Sequence, residues 1–265
     1  MLNKEDIDYL YNVLLDAGAA VLQLTKQGFA LHDKSDGSVL TTADLASDDI
    51  ITKALSFRFP DIAVFSEERY SLQKSFPVPD IYFLVDPLDG TREFSSGSAD
   101  YTIQIGLLVK GTPYAGIILA PAHQQCFVGC HGMGSFRIYN NGLWGRLTCQ
   151  SDKVSTVSIL LSHSHENTEA KKWINQIQFD GFTVIPKGMG SSLKLCRIAS
   201  GEADIVLRPG AIHDWDTAAG HAIVRHAGGF VLDSETGQEL RYGRTGFIQS
   251  GYISCGPSWR SYFSK

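Results

Sequence analysis

Several things are scarce in this chain, and each shortage removes a class of protein. The five cysteines, Cys126, Cys130, Cys149, Cys196 and Cys255, are odd in number and include no C-x-x-C pair. Neither a disulfide framework nor a zinc site is indicated, and reduced, mostly buried thiols in a cytoplasmic protein are expected. Positive charge is in the minority: the formal net charge is −5, so a nucleic-acid backbone is not an expected partner. No run is long and apolar enough to cross a bilayer. The N-terminal stretch lacks the basic start and apolar core of a signal peptide, being interrupted by Glu5, Asp6, Asp8 and Asp16. There are no internal repeats, no low-complexity tract, and no motif that pairs a Ser, Cys or His nucleophile with a base. What remains is 265 residues, 43% apolar and 19% charged, an ordinary globular composition able to bury a large core as one big domain or two smaller ones.

The most informative stretch is residues 81–94, IYFLVDPLDGTREF. It starts as an apolar strand, then presents Asp86, a proline, Asp89, a glycine and a threonine. Pro87 fixes one φ angle and Gly90 permits conformations closed to other residues, so the turn can bring both carboxylates to one side. Carboxylates held that close repel unless a cation or proton lies between them, and hard divalent cations bind through such oxygens. A helix beginning at Thr91 would leave backbone N–H groups free for an anion. The plainer reading of Asp-Pro and Asp-Gly is a surface β-turn.

Around this stretch the pattern predicts a helix over residues 5–24, then a second helix capped by Thr42 that places Asp44 in its first turn and stops at Pro60. A short strand, 63–66, ends at Glu67, and a polar loop or lid covers 69–80. Five β-like runs separated by Gly, Pro and Asn-Gly turns follow between residues 101 and 148, which suggests antiparallel pairing. From about Val157 strands alternate with helices: strands near 157–162, 183–185 and 204–208, helices over 166–179, 191–200 and 216–226. The expected division is 1–150, an α+β half with the metal-binding motifs, and 151–265, an α/β half with substrate residues and Asp216, the site lying at their shared interface.

Asp44, Glu67 and Asp216 each fall at a strand edge or helix start. A lone acidic residue there is most simply a cap favoured by the helix dipole, but with Asp86 and Asp89 the set is hard to explain as caps. The segments Ser66-Glu67-Glu68, Asp86-Pro87-Leu88-Asp89-Gly90-Thr91 and Trp215-Asp216-Thr217-Ala218-Ala219-Gly220 resemble those of the Mg²⁺-dependent, lithium-sensitive phosphatases of the inositol monophosphatase superfamily. Asp36-Gly37-Ser38, Thr42-Ala43-Asp44, Ser162-His163-Ser164-His165 and the run from Gly190 to Cys196 are most similar to the CysQ-type 3′(2′),5′-bisphosphate nucleotidases.

The resemblance implies an α/β (α+β) fold, a layered αβαβα sandwich. It implies hydrolysis of the 3′-phosphate of adenosine 3′,5′-bisphosphate, a by-product of sulfate activation. One Mg²⁺ would lie at Glu67, Asp86 and the Leu88 carbonyl, a second at Asp86, Asp89 and Asp216, and a third, weaker ion near Glu67. Thr91 paired with Asp44 would activate water, and the N–H groups of Gly90 and Thr91 would hold the phosphate. Phosphoryl transfer asks mainly for positioning and charge stabilisation, which two metals supply without a side-chain nucleophile.

On the substrate side a second phosphate needs positive partners. Lys194, in the first turns of its helix beside Ser191 and Ser192, and Arg208, at a strand end, are the candidates, with His165 of the S-x-S-H motif, Glu67 and Asp216 also meeting substrate. Without the resemblance, each cation reads equally as a solvated surface charge. Inositol monophosphatases typically carry an acidic residue before the Trp-Asp pair; here the matching region is Arg208-Pro209-Gly210, although Asp214 stands nearby. A small nucleotide bisphosphate is therefore the expected partner, with inositol monophosphatase activity, or a catalytically silent metal- or phosphate-binding module, as the alternatives. The expected location is cytoplasmic, with peripheral association at the inner membrane and oligomeric state left open.

Overall fold

The computed structural model describes residues 2–33, 39–72, 77–152, 154–162 and 168–264. In chain order the first half contains α1 (Lys4–Gln27), β1 (Leu31–Asp33), β2 (Val39–Thr41), α2 (Thr42–Arg58), β3 (Ala63–Ser66), β4 (Ile81–Asp89), α3 (Thr91–Ser95), β5 (Thr102–Val109), β6 (Thr112–Ala120), β7 (Gln125–Cys130), β8 (Gly134–Ile138) and β9 (Trp144–Arg146). The second contains β10 (Thr156–Leu161), α4 (Thr168–Phe179), β11 (Thr183–Gly188), α5 (Leu193–Ala199), β12 (Ile205–His213), α6 (Ala218–His226), β13 (Phe230–Asp233), β14 (Ile248–Cys255) and α7 (Arg260–Phe263).

The strands form a seven-stranded sheet running β3 to β9 in sequence order and a five-stranded sheet ordered β11-β10-β12-β14-β13, besides the small β1-β2 hairpin. From β4 to β9 every pairing is antiparallel, as the short turns predict, whereas β3 joins β4 in parallel. Side-chain alternation on β4 explains why that strand is apolar throughout: Phe83 and Val85 enter the core shared with α1 and α2, while Tyr82 and Leu84 enter the core on the opposite face with α5 and α6. The second sheet turns Val206 and Tyr252 toward that same middle core and Ile205, Leu207 and Ile253 toward α4 and α7. Helices and sheets thus alternate as α1/α2, sheet, α5/α6, sheet, α4/α7, the layered αβαβα sandwich implied by the resemblance.

Close approach of α6 to the first sheet depends on glycines of three adjacent strands. A Cβ on Gly116 would lie 2.2 Å from the Ala219 carbonyl oxygen, one on Gly129 2.5 Å from Ile223 Cα, and one on Gly106 3.0 Å from Ala218 Cβ. Bare backbone on β5, β6 and β7 lets the helix lie directly on the strands, which carries the residues preceding α6 to the end of β4.

Several local expectations shift. The cap of α2 is Thr41, not Thr42: its hydroxyl accepts from Ala43 N and Asp44 N, and the Asp44 side chain accepts from Thr41 N in return. The spacing of a capping box, Thr then Asp three residues on, selects Thr41. β4 does not end before Asp86; it continues to Asp89 through a bulge between the two aspartates. A 3-10 turn over Glu67–Leu72 takes up the first residues, 69–72, of the expected 69–80 loop. Arg208 lies inside β12, which extends past it to His213 through a bulge between Pro209 and Ile212, instead of ending a strand. The helices expected from Ser191 and Asp216 begin at Leu193 and Ala218. Strands β13 and β14, which follow the last helix predicted from the pattern, complete the second sheet.

Candidate active site

Four separate segments meet at the C-terminal end of β4. Parallel pairing of β3 with β4 sets Ser66 opposite Val85, so Glu67 and Asp86 follow side by side. Antiparallel pairing with β5 sets Gln104 opposite Asp86 and Thr102 opposite Asp89. Asp216 arrives from the turn before α6. One carboxylate oxygen from each of Glu67, Asp86 and Asp216 lies within 4.8 Å of the others. Asp89 flanks this trio, its Oδ2 accepting from the Ser192 backbone N–H at 2.5 Å and from Ser192 Oγ at 2.7 Å. The Gln104 amide Nε2 faces Asp86, Asp89 and the Asp216 carbonyl at 3.3–3.4 Å.

This is an electrostatically unfavourable arrangement for the bare protein. Burial, then repulsion from Glu67, Asp89 and Asp216, holds the Asp86 carboxyl well above the ordinary carboxylate range. Burial, followed by Asp89 and Glu67, does the same to Asp216. Asp89 is raised by burial too, against the opposing hydrogen bonds from Ser192. Buried, mutually repelling hard oxygen donors that converge in this way fit a divalent cation such as Mg²⁺.

The orientation of each carboxylate is built into its own segment. Asp216 Oδ2 accepts from His213 N at 3.0 Å, and Trp215, stacked on His213 with ring centroids 4.6 Å apart, is buried against Tyr70 and Phe247. Trp215 is core packing that fixes Asp216. Asp86 Oδ1 accepts from Leu88 N at 3.0 Å, closing the bulge. Gly90 takes the left-handed conformation, φ 91° and ψ 41°, and a Cβ there would lie 3.0 Å from the Asp100 carbonyl oxygen. Only glycine makes that turn without strain. Thr91 Oγ1 lies 3.2 Å from Asp44 Oδ1 and 3.1 Å from the Leu88 carbonyl oxygen. Asp44 is itself buried, its Oδ2 held by Thr41 N at 2.7 Å and Thr41 Oγ1 at 2.5 Å.

Beside the acidic pocket, of about 200 Å³, opens a second cleft of about 160 Å³; both are bordered by Asp89, Gly90, Glu93 and Asp216. The second is lined further by Ser162, Ser191, Lys194, Arg208 and Tyr252. Lys194 is not a solvated surface charge: it is 5% exposed, and its Nζ donates to the carbonyls of Met189 and Ser191. Burial pulls its pKa down to about 8, against the raising effect of Asp89. Arg208 is anchored by its own bulge, Nη1 donating to the carbonyls of Pro209 and Gly210 and Nη2 to that of Ala211. Asp214 does not line the cleft; it is fully buried, accepting from Gly243 N and Gln249 Nε2. His165 lies outside the described residues.

The sequence model of the inositol monophosphatase family matches residues 3–261. The chain belongs to the inositol monophosphatase family. Within it, the chain is 35% identical to the 3′(2′),5′-bisphosphate nucleotidase CysQ of Buchnera aphidicola, over 95% of this chain and 94% of that protein. The crystal structure of CysQ from Bacteroides thetaiotaomicron superposes with a TM-score of 0.80 at 27% identity, covering 96% of this chain and 97% of that one. Inositol monophosphatase 3 of Solanum lycopersicum is more distant, 29% identical over 88% of this chain and 89% of its own.

The sequence pattern points to neither Gln104 nor Tyr252 as a site residue, and it reads Ser192 only as a phosphate contact beside Ser191. Ser192 instead ties the substrate side to Asp89. A buried glutamine in an otherwise apolar strand was the one available signal for Gln104.

Proposed function

We propose that this member of the inositol monophosphatase family hydrolyses the 3′-phosphate of adenosine 3′,5′-bisphosphate, yielding AMP and phosphate, with Mg²⁺. The observation that carries the reading is the adjacency of the two clefts: carboxylates that need cations border a pocket whose cationic side chains are Lys194 and Arg208. A phosphate destined for cleavage suits the first and an uncleaved phosphate the second. An inositol hydroxyl would find no acidic partner where Arg208 stands. The silent-module alternative predicts loss of at least one of Asp44, Glu67, Asp86, Asp89, Thr91 and Asp216, and all six are present.

In this reading Glu67, Asp86 and the Leu88 carbonyl would hold one ion, Asp86, Asp89 and Asp216 would hold a second, and Glu67 would border a third. Bound there, Mg²⁺ would lower the pKa of the attacking water and neutralise phosphoryl charge. Thr91 and Asp44 do the proton work: with the threonine proton directed to Asp44, the Thr91 oxygen accepts a hydrogen bond from the water and holds it in line, and as the water's proton passes to Thr91 the threonine's own passes to the Asp44 carboxylate. The N–H groups of Gly90 and Thr91, at the mouth of α3, meet the transferred phosphoryl oxygens. Lys194, Arg208, Ser191 and, through the S-x-S-H motif, His165 receive the remainder of the nucleotide. The segments 1–150 and 151–265 divide the labour in this scheme, the first holding metal and water and the second holding substrate and contributing Asp216.

Phosphate release from adenosine 3′,5′-bisphosphate, its sulfated precursor and inositol 1-phosphate, with and without Mg²⁺ and Li⁺, tests the proposal. Equal or better turnover of inositol 1-phosphate overturns the substrate assignment. Asp89→Asn should abolish turnover with the fold intact, and Lys194→Ala or Arg208→Ala should weaken a bisphosphate more than a monophosphate.

A further inference from the structure

The second cleft contains a polar group that neither the metal site nor the two cations explain. Tyr252 on β14 stands directly opposite Arg208 on β12 in the antiparallel register. Cross-strand partners share a face of the sheet, and this face is the inner one, where Val206 and Tyr252 meet the middle core. Tyr252 is 3% exposed and lines the cleft with Lys194 and Arg208. Its hydroxyl has no hydrogen-bond partner among the described residues. The neighbouring buried phenol, Tyr242, is by contrast held by His221 Nδ1 at 3.0 Å. Tyr82 is likewise unpartnered, but it is packed near Gly243 and does not line the cleft. Buried tyrosines usually find a partner for the hydroxyl, and at Tyr252 the cleft is where one can come from.

We propose that the Tyr252 hydroxyl is a specificity-determining group that donates a hydrogen bond to the uncleaved phosphate of a bisphosphate substrate. This rests on the bisphosphate reading above and names a residue for it. The three groups divide the recognition. Lys194 and Arg208 supply charge, which attracts any anion at long range but discriminates poorly by position. A phenol donor acts only over hydrogen-bond distance and a narrow angle, so it registers where the phosphate sits. Burial raises the Tyr252 pKa, which keeps it a neutral donor at physiological pH. Its placement is prepared by the preceding residue: Gly251 has φ 114°, and a Cβ there would lie 2.6 Å from the Arg208 carbonyl oxygen. Glycine at that position lets the β12 bulge close, and the bulge carbonyls then hold the Arg208 guanidinium beside the phenol.

The test compares kcat/KM for adenosine 3′,5′-bisphosphate and for 3′-AMP, which lacks the 5′-phosphate, in the wild-type protein and in Tyr252→Phe. The ring is retained and no partner among the described residues is lost, so thermal denaturation should show the variant as stable as the wild type. The ratio of bisphosphate to monophosphate kcat/KM should fall about tenfold or more, as for loss of one hydrogen bond to an ionised group. A wild-type preference that survives unchanged in Tyr252→Phe, or an equal loss on both substrates, overturns the assignment of Tyr252 while leaving the bisphosphate reading standing. Absence of any wild-type preference for the bisphosphate overturns both.

Discussion

Replacing Thr41 with valine should injure stability and catalysis through a single hydroxyl. Thr41 is fully buried, and its Oγ1 accepts from Ala43 N at 3.1 Å and Asp44 N at 3.3 Å while donating to Asp44 Oδ2 at 2.5 Å. Valine keeps the shape and removes all three bonds. Loss of a helix N-cap costs about 1 kcal/mol, and loss of a hydrogen bond to a buried carboxylate about 1.5–3 kcal/mol. The two overlap in one atom, so a total of about 2–4 kcal/mol is expected, or a fall in Tm of about 4–15 °C for a chain of this size. Asp44 would keep Thr41 N and Thr91 Oγ1 as partners but lose the bond that fixes its rotation. As with other groups that orient a catalytic ligand from behind, kcat should fall about 10–100-fold with little change in KM. Urea denaturation and steady-state phosphate release measure both effects, and Thr41→Ser, which restores the hydroxyl, is the control. A valine variant within about 0.5 kcal/mol of wild type, or a serine variant as damaged as the valine, would refute the argument.

Mg²⁺ should stabilise the protein strongly, because it offsets the burial and mutual repulsion that raise Asp86 and Asp216. At a hundred times Kd the gain is about 2.7 kcal/mol, seen as a Tm increase of roughly 5–10 °C that EDTA reverses and that disappears in Asp86→Asn; no shift in wild type would contradict the metal site. Gly116→Ala should destabilise by about 1–3 kcal/mol or more through overpacking, since the added Cβ meets the Ala219 carbonyl. It should also depress activity by displacing the turn that carries Asp216, and near-wild-type stability in denaturant titration would refute the close-packing argument. Acidification should destabilise the fold by way of His221 and His226, whose pKa values burial lowers. Both stay neutral in the folded chain while the unfolded chain takes up protons below about 6.5, so stability is intact above that pH and is lost as pH falls through it. Denaturation midpoints at pH 7.5 and 5.5 check the sign, and His221→Gln should flatten the dependence.

The sandwich was legible where local pattern and tertiary demand agree. The apolar run before Asp86, the alternating strands with Gly and Asn-Gly turns, and the helix stopping before Pro60 each express one dominant local force. Legibility failed where two forces compete. Asp86-Pro87-Leu88-Asp89 reads locally as a turn, yet pairing with β5 holds it in the sheet as a bulge. Lys194 reads locally as a surface charge, yet every residue of α5 except Arg197 is buried and the lysine is satisfied by the carbonyls of Met189 and Ser191. β14 has little to distinguish it until β12 and β13 are found on either side.

Residue type and order alone determined which groups were available: Glu67, Asp86, Asp89, Thr91 and Asp216 in three linked motifs and Asp44 in a separate segment, because metal and phosphate chemistry demands oxygen donors and a glycine turn. Distances belong to the tertiary structure. Glu67 meets Asp86 because β3 and β4 are parallel, Asp216 joins them because glycine strands admit α6, and Ser192 reaches Asp89 across 103 residues of chain. The same is true of Tyr252. Nothing in its sequence neighbourhood marks it, and only the register of β14 against Arg208 brings a buried phenol to the cleft, since strand pairing is a non-local choice that no short pattern encodes.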